Sequence, residues 1–319
     1  MSDGAQLAFA RTQEFLSVTL SEGGLSCLLR LIVDELQIEY SSDHCPALFI
    51  QLPSAVFRSV CRDQPQAQLE TLCLLLFAGI NLHDDIADRE VRPRLAGHAP
   101  SQLQLAATSL LSALPLLCLK SLPQSATQLL GERLLTMANG QYEDVSRAKS
   151  NSFDFDGVYK SVAEKSGAEL ALFARIGATC AGATEKVQDT YDQFGHALGI
   201  ALQLVTDCFD LFQTEVSGDL TNGSRTLPIC LYLDGLSDVE HAEAMELLQR
   251  AETDSKLHGV VQKRMRERGV LAQMALIIEV ERQRAIRLLC EAAPLAEGKA
   301  ELLSILERAS LLPKECSGG

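Results

Sequence analysis

The stretch LCLLLFAGINLHDDIAD, residues 72–88, decides the fold of this chain. Its first nine residues are apolar or small, and Asp84, Asp85 and Asp88 follow close behind. An apolar run that ends in acids predicts a core helix that carries carboxylates to the floor of a cavity. A spacing of four puts Asp84 and Asp88 on one helix face, where magnesium would relieve their repulsion. An acid-rich helix end on the surface is the alternative.

The rest of the chain also has the spacing of helices. One stripe of apolar residues lies within residues 5–40 and consists of Leu28, Leu29, Ile32, Val33 and Leu36. Pro46 and Pro65 suit the first turns of two further helices, and helical patterns continue to about residue 312. The sequence contains no long stretch with strand spacing and no internal repeat. These patterns predict one all-α domain over residues 1–319, a helical bundle.

Composition limits the function classes. The 319 residues are 47% hydrophobic and 22% charged, which is typical of a globular protein. A formal charge of -14 and the lack of a basic stripe argue against nucleic acid as a partner. Ten cysteines without a CxxC pair favour a reducing cytoplasm over a disulfide scaffold or a zinc site. Most of them, such as Cys290, lie in apolar helical sequence, so we expect them to be small buried hydrophobes. We find no signal segment and no apolar run that is long enough for a bilayer, so the sequence predicts a cytoplasmic protein.

A second helical stretch carries acids as well. It contains Gln203, Asp207 and Asp210, with the glutamine one turn before the first aspartate. Carboxylates from facing helices can converge on metal ions in a bundle core. Lys165 and the arginines after the first acids would add positive charge, and such a set is suited to gripping a diphosphate as a leaving group. Apolar residues ahead of the first acids, including Gly79 and Ile80, could house a hydrocarbon tail.

These motifs, in this order, resemble the trans-isoprenyl diphosphate synthase (polyprenyl synthetase) family over about residues 40–290. The resemblance rests on an ordered set of segments: His83 to Asp88, Gly140-Gln141, Lys165-Ser166-Gly167, Phe194-Gly195, Leu198-Gly199, Leu202-Gln203, Gly218-Asp219-Leu220, Gly223 and Thr226-Leu227-Pro228.

The resemblance implies an all-α, isoprenoid-synthase-type helical bundle with a central active-site cavity, which acts as a prenyltransferase with two or three magnesium ions. Metal ligands would come from Asp84, Asp85, Asp88, Asp207 and Asp210, with Asp85 in a supporting position. An allylic prenyl diphosphate would be the substrate, and its diphosphate would contact Lys165 and Arg94. The allylic cation would lie near Gln203. The family also implies a homodimer.

Several departures from the family stand beside these matches. Where the family has a Gly-Lys-Arg-x-Arg-Pro motif for isopentenyl diphosphate, this chain has Ser41-Ser42-Asp43-His44-Cys45-Pro46. Thr206 replaces the first aspartate of the second motif, which puts the third metal in doubt. Ser224 replaces a later lysine, with Arg225 beside it as a substitute. The loss of three cations predicts weak binding of a second diphosphate.

Four functions fit these departures. The prediction that we place first is prenyl transfer to an acceptor other than isopentenyl diphosphate, for example an indole, with His44 as a candidate base. The second is a terpene cyclase on the same scaffold. A conventional polyprenyl diphosphate synthase with an altered second site and a non-catalytic synthase subunit are the others.

Overall fold

The computed structural model describes residues 3–40, 47–88, 91–148 and 154–311, and all regular elements among these residues are helical. The all-α prediction is therefore confirmed. In chain order the α-helices are α1 (Asp3–Thr19), α2 (Gly24–Glu39), α3 (Leu48–Val60), α4 (Ala67–Asp88), α5 (Pro100–Leu111), α6 (Ala113–Leu119), α7 (Ser125–Ala148), α8 (Phe155–Val162), α9 (Ala168–Cys180), α10 (Glu185–Gln213), α11 (Gly218–Asn222), α12 (Leu227–Leu233), α13 (Asp238–Ala251), α14 (His258–Glu267), α15 (Val270–Glu291) and α16 (Ala296–Leu306). A π-helical turn, Ala163–Gly167, joins α8 to α9, and a 3₁₀ turn, Ser255–Leu257, precedes α14.

The chain divides into two compact units. Unit 1 comprises Met1–Glu132, Leu172–Asp192 and Ala292–Leu302, and unit 2 comprises Arg133–Ala171, Gln193–Glu291 and Leu303–Gly319. The single domain over residues 1–319 stays a prediction.

Helix α4 is the central helix of unit 1. It packs against α1, α3, α5 and α6. Its residues Leu72, Cys73, Leu74, Leu75 and Leu76 are all fully buried, so the helix is enclosed on every side over this length. Burial ends at the acids, because Asp84 and Asp85 are only half-buried. The apolar run therefore carries its carboxylates to the edge of the core.

Unit 2 is built mainly around α10, α12, α14 and α15. Helix α12 packs against α8 and α15, and α14 packs against α13 and α15. Buried side chains of α10 include Phe194, Leu198, Leu204 and Leu211, and residues 197–201 are buried without a break.

Two predictions about apolar segments need correction. Residues Pro100–Leu119, which form α5 and α6, are long and apolar enough to cross a membrane, although we predicted that no run would be. This test uses only length and composition, and core helices of soluble proteins also pass it; 44% of the stretch is buried. Cys290, which we expected to be buried, is exposed. A cytoplasmic location stays a prediction.

Candidate active site

The carboxyl end of α4 presents the first acids, in unit 1. Asp84 and Asp85 are half-buried on successive positions, and Asp88 is the last residue of the helix. The side chain of Asp88 lies outside the described part of the structure. Asn81, one turn before Asp85, donates its amide to the carbonyl oxygen of Phe77 within the same helix. This helix end therefore brings at least two carboxylates to one place.

Arginines of the following loop pair with acids of unit 1. Arg92 donates to Asp85 Oδ2 at 2.5 Å and to Glu39 Oε2 at 2.9 Å, so it ties the end of α4 to the end of α2. Arg94, which we expected to contact a diphosphate, forms an ion pair with Glu35 at 2.5 Å. Half of the Arg94 side chain is exposed, at 51%. Each arginine already has a carboxylate as its counterion.

Gly79 lies at a close contact between α4 and α5. A Cβ atom at this position would lie 2.7 Å from Leu111 Cγ and 3.0 Å from Leu110 Cβ. The small residue thus lets two helices approach, and the space beside it is filled by leucine rather than open to a tail. Ile80 is half-buried. A substrate-binding role for either residue stays a prediction.

A second group of candidate site residues lies in unit 2 and centres on Gln203. Ser166 Oγ donates to Gln203 Oε1 at 2.8 Å, and Gln203 Nε2 donates to Asp207 Oδ1 at 2.8 Å. Asp207 is buried, with 7% of its surface exposed. The neighbouring Lys165 lies in the π-helical turn, a type of helix irregularity that is frequent at functional sites. The structure thus brings three predicted site residues, Lys165, Gln203 and Asp207, to one region of unit 2.

Close packing at Gly199 makes this contact possible. A Cβ atom there would collide with the carbonyl oxygen of Ser166. Because glycine lets the backbones approach, α10 lies against the π-helical turn, and Gln203 comes within hydrogen-bond distance of Ser166 one turn later.

Asp210 holds the turn between α10 and α11. Its Oδ2 accepts from Ser217 Oγ at 2.6 Å and from the Asp219 amide at 3.0 Å, and its Oδ1 accepts from the Gly218 amide at 3.2 Å. These bonds satisfy amides at the start of α11, as an N-terminal cap does. Both oxygens therefore serve the turn, and metal binding by Asp210 stays a prediction.

Asp219 is the residue that we did not include among the predicted site residues. Burial, together with the negative charges of Asp207 and Asp210, raises the pKa of Asp219 to about 8, although the hydroxyls of Thr226 and Ser224 lower it in part. Its Oδ2 atom is buried and accepts no hydrogen bond. In the sequence, Asp219 lies in the segment Gly218-Asp219-Leu220, which follows the second acid motif. That segment resembled the family, but we assigned no role to Asp219.

The substituted positions lie in the same unit. Thr206 Oγ1 donates to the carbonyl oxygen of Leu202 within α10, so it does not take over the role of a carboxylate. Arg225 is half-buried and lines a cavity of about 110 Å³ with Asp219, Gly223 and Glu252. Arg225 therefore lies near the acids of unit 2, as a substitute for the lost lysine would.

The acidic side chains of the candidate site are of the ligand type that magnesium prefers. Carboxylate oxygens are the ligands that a hard divalent ion prefers. Burial is the main cause of the raised pKa of Asp219, and the negative charges of Asp207 and Asp210, which a cation would offset, raise it further. Within the described residues, no three His, Cys, Asp or Glu side chains form a group that could hold a metal ion by themselves. Magnesium binding by these residues therefore stays a prediction.

Comparison with known proteins identifies a family whose profile matches this chain. The profile of the polyprenyl synthetase family matches residues 47–265, which is more than half of the chain and includes both acid motifs. The chain belongs to the polyprenyl synthetase family. The predicted resemblance is confirmed.

Curated relatives within the family are prenyl diphosphate synthases by name. Geranylfarnesyl diphosphate synthase of Methanosarcina mazei is 27% identical over 151 residues, which cover 46% of this chain and 51% of that protein. Heptaprenyl diphosphate synthase component 2 of Bacillus subtilis is 23% identical over 186 residues, which cover 56% and 52%. The chain thus matches about half the length of these relatives.

Solved structures of the family share the fold. Geranylgeranyl pyrophosphate synthase from Corynebacterium glutamicum, solved with isoprenyl diphosphate and magnesium, gives a TM-score of 0.79 at 18% identity, with 96% of this chain and 98% of that chain covered. Decaprenyl diphosphate synthase from Rhodobacter capsulatus gives 0.80 at 18% identity, with 96% of both chains covered. At this identity the likeness is one of fold.

Proposed function

We propose that this member of the polyprenyl synthetase family is a magnesium-dependent prenyltransferase that ionises an allylic prenyl diphosphate. The observation that carries the proposal is the hydrogen-bonded row Ser166, Gln203 and Asp207 beside Lys165. Such a row fixes the orientation of the Gln203 amide. Its oxygen accepts from Ser166 and keeps a second lone pair that could face developing positive charge.

Each unit supplies candidate ligands for magnesium. Asp84, Asp85 and Asp88 lie on α4, and Asp207 and Asp210 lie on α10. Bound there, two or three magnesium ions would neutralise the leaving diphosphate. Asp85 would act chiefly as a support, because Arg92 already pairs with it.

Basic side chains would orient the same diphosphate. Lys165, Arg94 and Arg225 are the candidates. Arg94 would exchange its ion pair with Glu35 for the substrate, at a modest cost since half of its side chain is exposed.

Isopentenyl diphosphate is the acceptor that we now place first. The relatives named above are prenyl diphosphate synthases, which favours chain elongation over the other acceptors that we placed first from the sequence. The names of these relatives give no support to a terpene cyclase.

A second candidate is transfer to an acceptor that carries no diphosphate. The segment Ser41–Pro46, which lies outside the described residues, has no lysine or arginine, and Asp43 would repel a second diphosphate. Among the described residues after α4, Arg92 forms ion pairs with Asp85 and Glu39, and Arg94 forms an ion pair with Glu35. These observations favour a neutral acceptor.

One incubation series tests the proposal. The full chain is incubated with magnesium and geranyl, farnesyl or geranylgeranyl diphosphate, each alone, with isopentenyl diphosphate and with indole. Pyrophosphate release and product masses are measured. We expect release with at least one allylic substrate, and Asp84→Asn should lower it by about 100-fold or more, since a metal ligand is lost.

The control is Asp63→Asn, which changes an exposed acid of unit 1 and should retain full activity. Longer prenyl diphosphates would support elongation, whereas prenylated indole without elongation would support the second candidate. Equal rates for Asp84→Asn and the wild type would refute the metal role.

The assembly state is also a proposal. We propose a homodimer, as is typical of the family. The name of the Bacillus relative describes it as one component of its synthase, so a second, different subunit is the alternative.

A further inference from the structure

One face of α14 binds the backbone around the turn that follows α10. His258, Gln262 and Arg266 lie at a spacing of four, so all three side chains project from one side of the helix. His258 Nδ1 accepts from the Ser217 amide at 3.0 Å, and Gln262 Nε2 donates to the Thr214 carbonyl oxygen at 3.0 Å. Arg266 donates to the Phe212 carbonyl oxygen and lies over the Phe212 ring at 5.3 Å from its centroid. We call these three residues the α14 clamp.

His258 is the buried member whose ring makes two hydrogen bonds. Its surface is 0% exposed. Because Nδ1 accepts from Ser217, the neutral ring carries its proton on Nε2, which lies 2.9 Å from the Ala251 carbonyl oxygen at the end of α13. The ring thus links the end of α13 to the turn, and each nitrogen has a separate role.

Ser217 connects His258 to the acidic residues Asp210 and Asp219 through hydrogen bonds. The residue is fully buried, and its hydroxyl donates to Asp210 Oδ2 while accepting from the Leu220 amide. Asp210 in turn accepts from the Gly218 and Asp219 amides. A shift of the Ser217 backbone would therefore move Asp210 and Asp219 together, because one set of hydrogen bonds connects them.

We propose that His258 is a positioning residue, which sets the place of the Asp210 and Asp219 carboxylates through Ser217. For its effect on magnesium, this inference rests on the proposed function. The effect of His258 on the positions of Asp210 and Asp219 does not depend on that function. His258 touches no reacting group, so its role is to fix the turn that carries the acids.

Two variants separate the roles of the ring nitrogens. The amide of asparagine ends as far from the backbone as Nδ1 does, so His258→Asn can still accept from Ser217 but loses Ala251. The amide of glutamine ends as far out as Nε2, so His258→Gln can still donate to Ala251 but loses Ser217. Each loses one hydrogen bond, and the two should lose similar thermal stability.

The readouts are amide hydrogen exchange at residues 217–219 and titration of magnesium in the presence of inorganic pyrophosphate. For His258→Gln we expect faster exchange and about fivefold weaker magnesium binding, the equivalent of one lost hydrogen bond. For His258→Asn both values should stay within about twofold of the wild type. His241→Gln and His241→Asn, which change an exposed histidine of α13, serve as controls.

Equal effects of the two His258 variants, or none, would overturn the positioning role, since a purely structural histidine would follow stability alone. Faster exchange in His258→Gln but not in His258→Asn supports the positioning role. If Asp207→Asn leaves magnesium binding unchanged, the metal assignment is refuted, but the positioning role of His258 is not. If the His258 variants do not fold, Ser217→Ala removes the hydroxyl that donates to Asp210 and leaves the Ser217 amide bound to His258. We expect faster exchange at residues 218 and 219 in this variant, and unchanged exchange would refute the proposal, because Ser217 would then not link His258 to the acids.

Discussion

Asp219 is a carboxyl group held among negative neighbours by the turn after α10. Its folded-state pKa of about 8 lies far above the value of about 3.9 for a free aspartate. The folded state therefore holds the proton more tightly than the unfolded state does. The stabilisation is complete below the unfolded pKa and is lost as the pH rises towards 8.

The metal-free protein should thus become less stable between pH 5 and pH 8. In Asp219→Asn this contribution is absent, so we expect its melting temperature in EDTA to fall less over the same interval. Differential scanning fluorimetry at several pH values measures the difference.

An exposed aspartate, Asp238→Asn, is the control for the change in net charge. If the melting temperatures of Asp219→Asn and the wild type fall in parallel, the buried carboxyl is not the source of the pH dependence.

Helical spacing predicts some of the side-chain contacts in the candidate site but not others. Gln203 and Asp207 are four positions apart on one helix, so their contact follows from the sequence. The pairing of Asp85 with Arg92, and of Arg94 with Glu35, depends on where the loop returns to α2, which spacing does not reveal. Asp219 was missed for the same reason, since its burial is a tertiary effect.

At the level of elements, the contact between α10 and the π-helical turn depends on Gly199. An added methyl group must push the two backbones apart, because the nearest atoms are backbone atoms of Ser166 and Gly167. Gly199→Ala should therefore lower the free energy of unfolding by about 1–3 kcal/mol and weaken the Ser166–Gln203 hydrogen bond. Chemical denaturation measures the first effect, and the rate of pyrophosphate release measures the second.

Gly131→Ala is a matched control within α7. No atom lies within 4 Å of a Cβ at that position. Alanine there should stabilise the helix by about 0.5–1 kcal/mol. A Gly199→Ala protein as stable as the wild type would show that α10 can move away at no cost.

The sequence predicts that helices form in these regions, but it does not predict where several of them end. The stripe from Leu28 to Leu36 is buried as expected. Helical spacing extends over residues 5–40, but the structure has two helices there, because α1 ends at Thr19 and α2 begins at Gly24. The apolar residues 100–119 likewise form two helices, α5 and α6, which meet at Ser112. Apolar spacing continues across these short breaks, so periodicity alone does not detect them.

At the level of the whole molecule, exposed leucines mark a face of unit 1. Leu105 on α5 and Leu116 on α6 are 64% and 53% exposed, within the apolar stretch Pro100–Leu119. Apolar side chains at a subunit interface would be protected from water. We expect this face to contribute to the proposed homodimer.

Light scattering after size-exclusion chromatography checks the expectation. The wild type should have twice the chain mass of 34.6 kDa, and the double variant Leu105→Glu/Leu116→Glu should be monomeric. Leu276→Glu, at a leucine of α15 that is 68% exposed, should stay dimeric. A dimeric double variant would exclude this face from the interface.

The π-helical turn at Ala163–Gly167 has a consequence for how this site could change. A π turn holds one residue more than an α turn, so it is equivalent to a single inserted residue inside a continuous helix. Loss of one residue from this turn would restore regular α-helical winding and rotate every later side chain by about 100° relative to α8. Ser166, which now donates to Gln203, would then point away from it, so the site depends on the number of residues in this turn as well as on their identity.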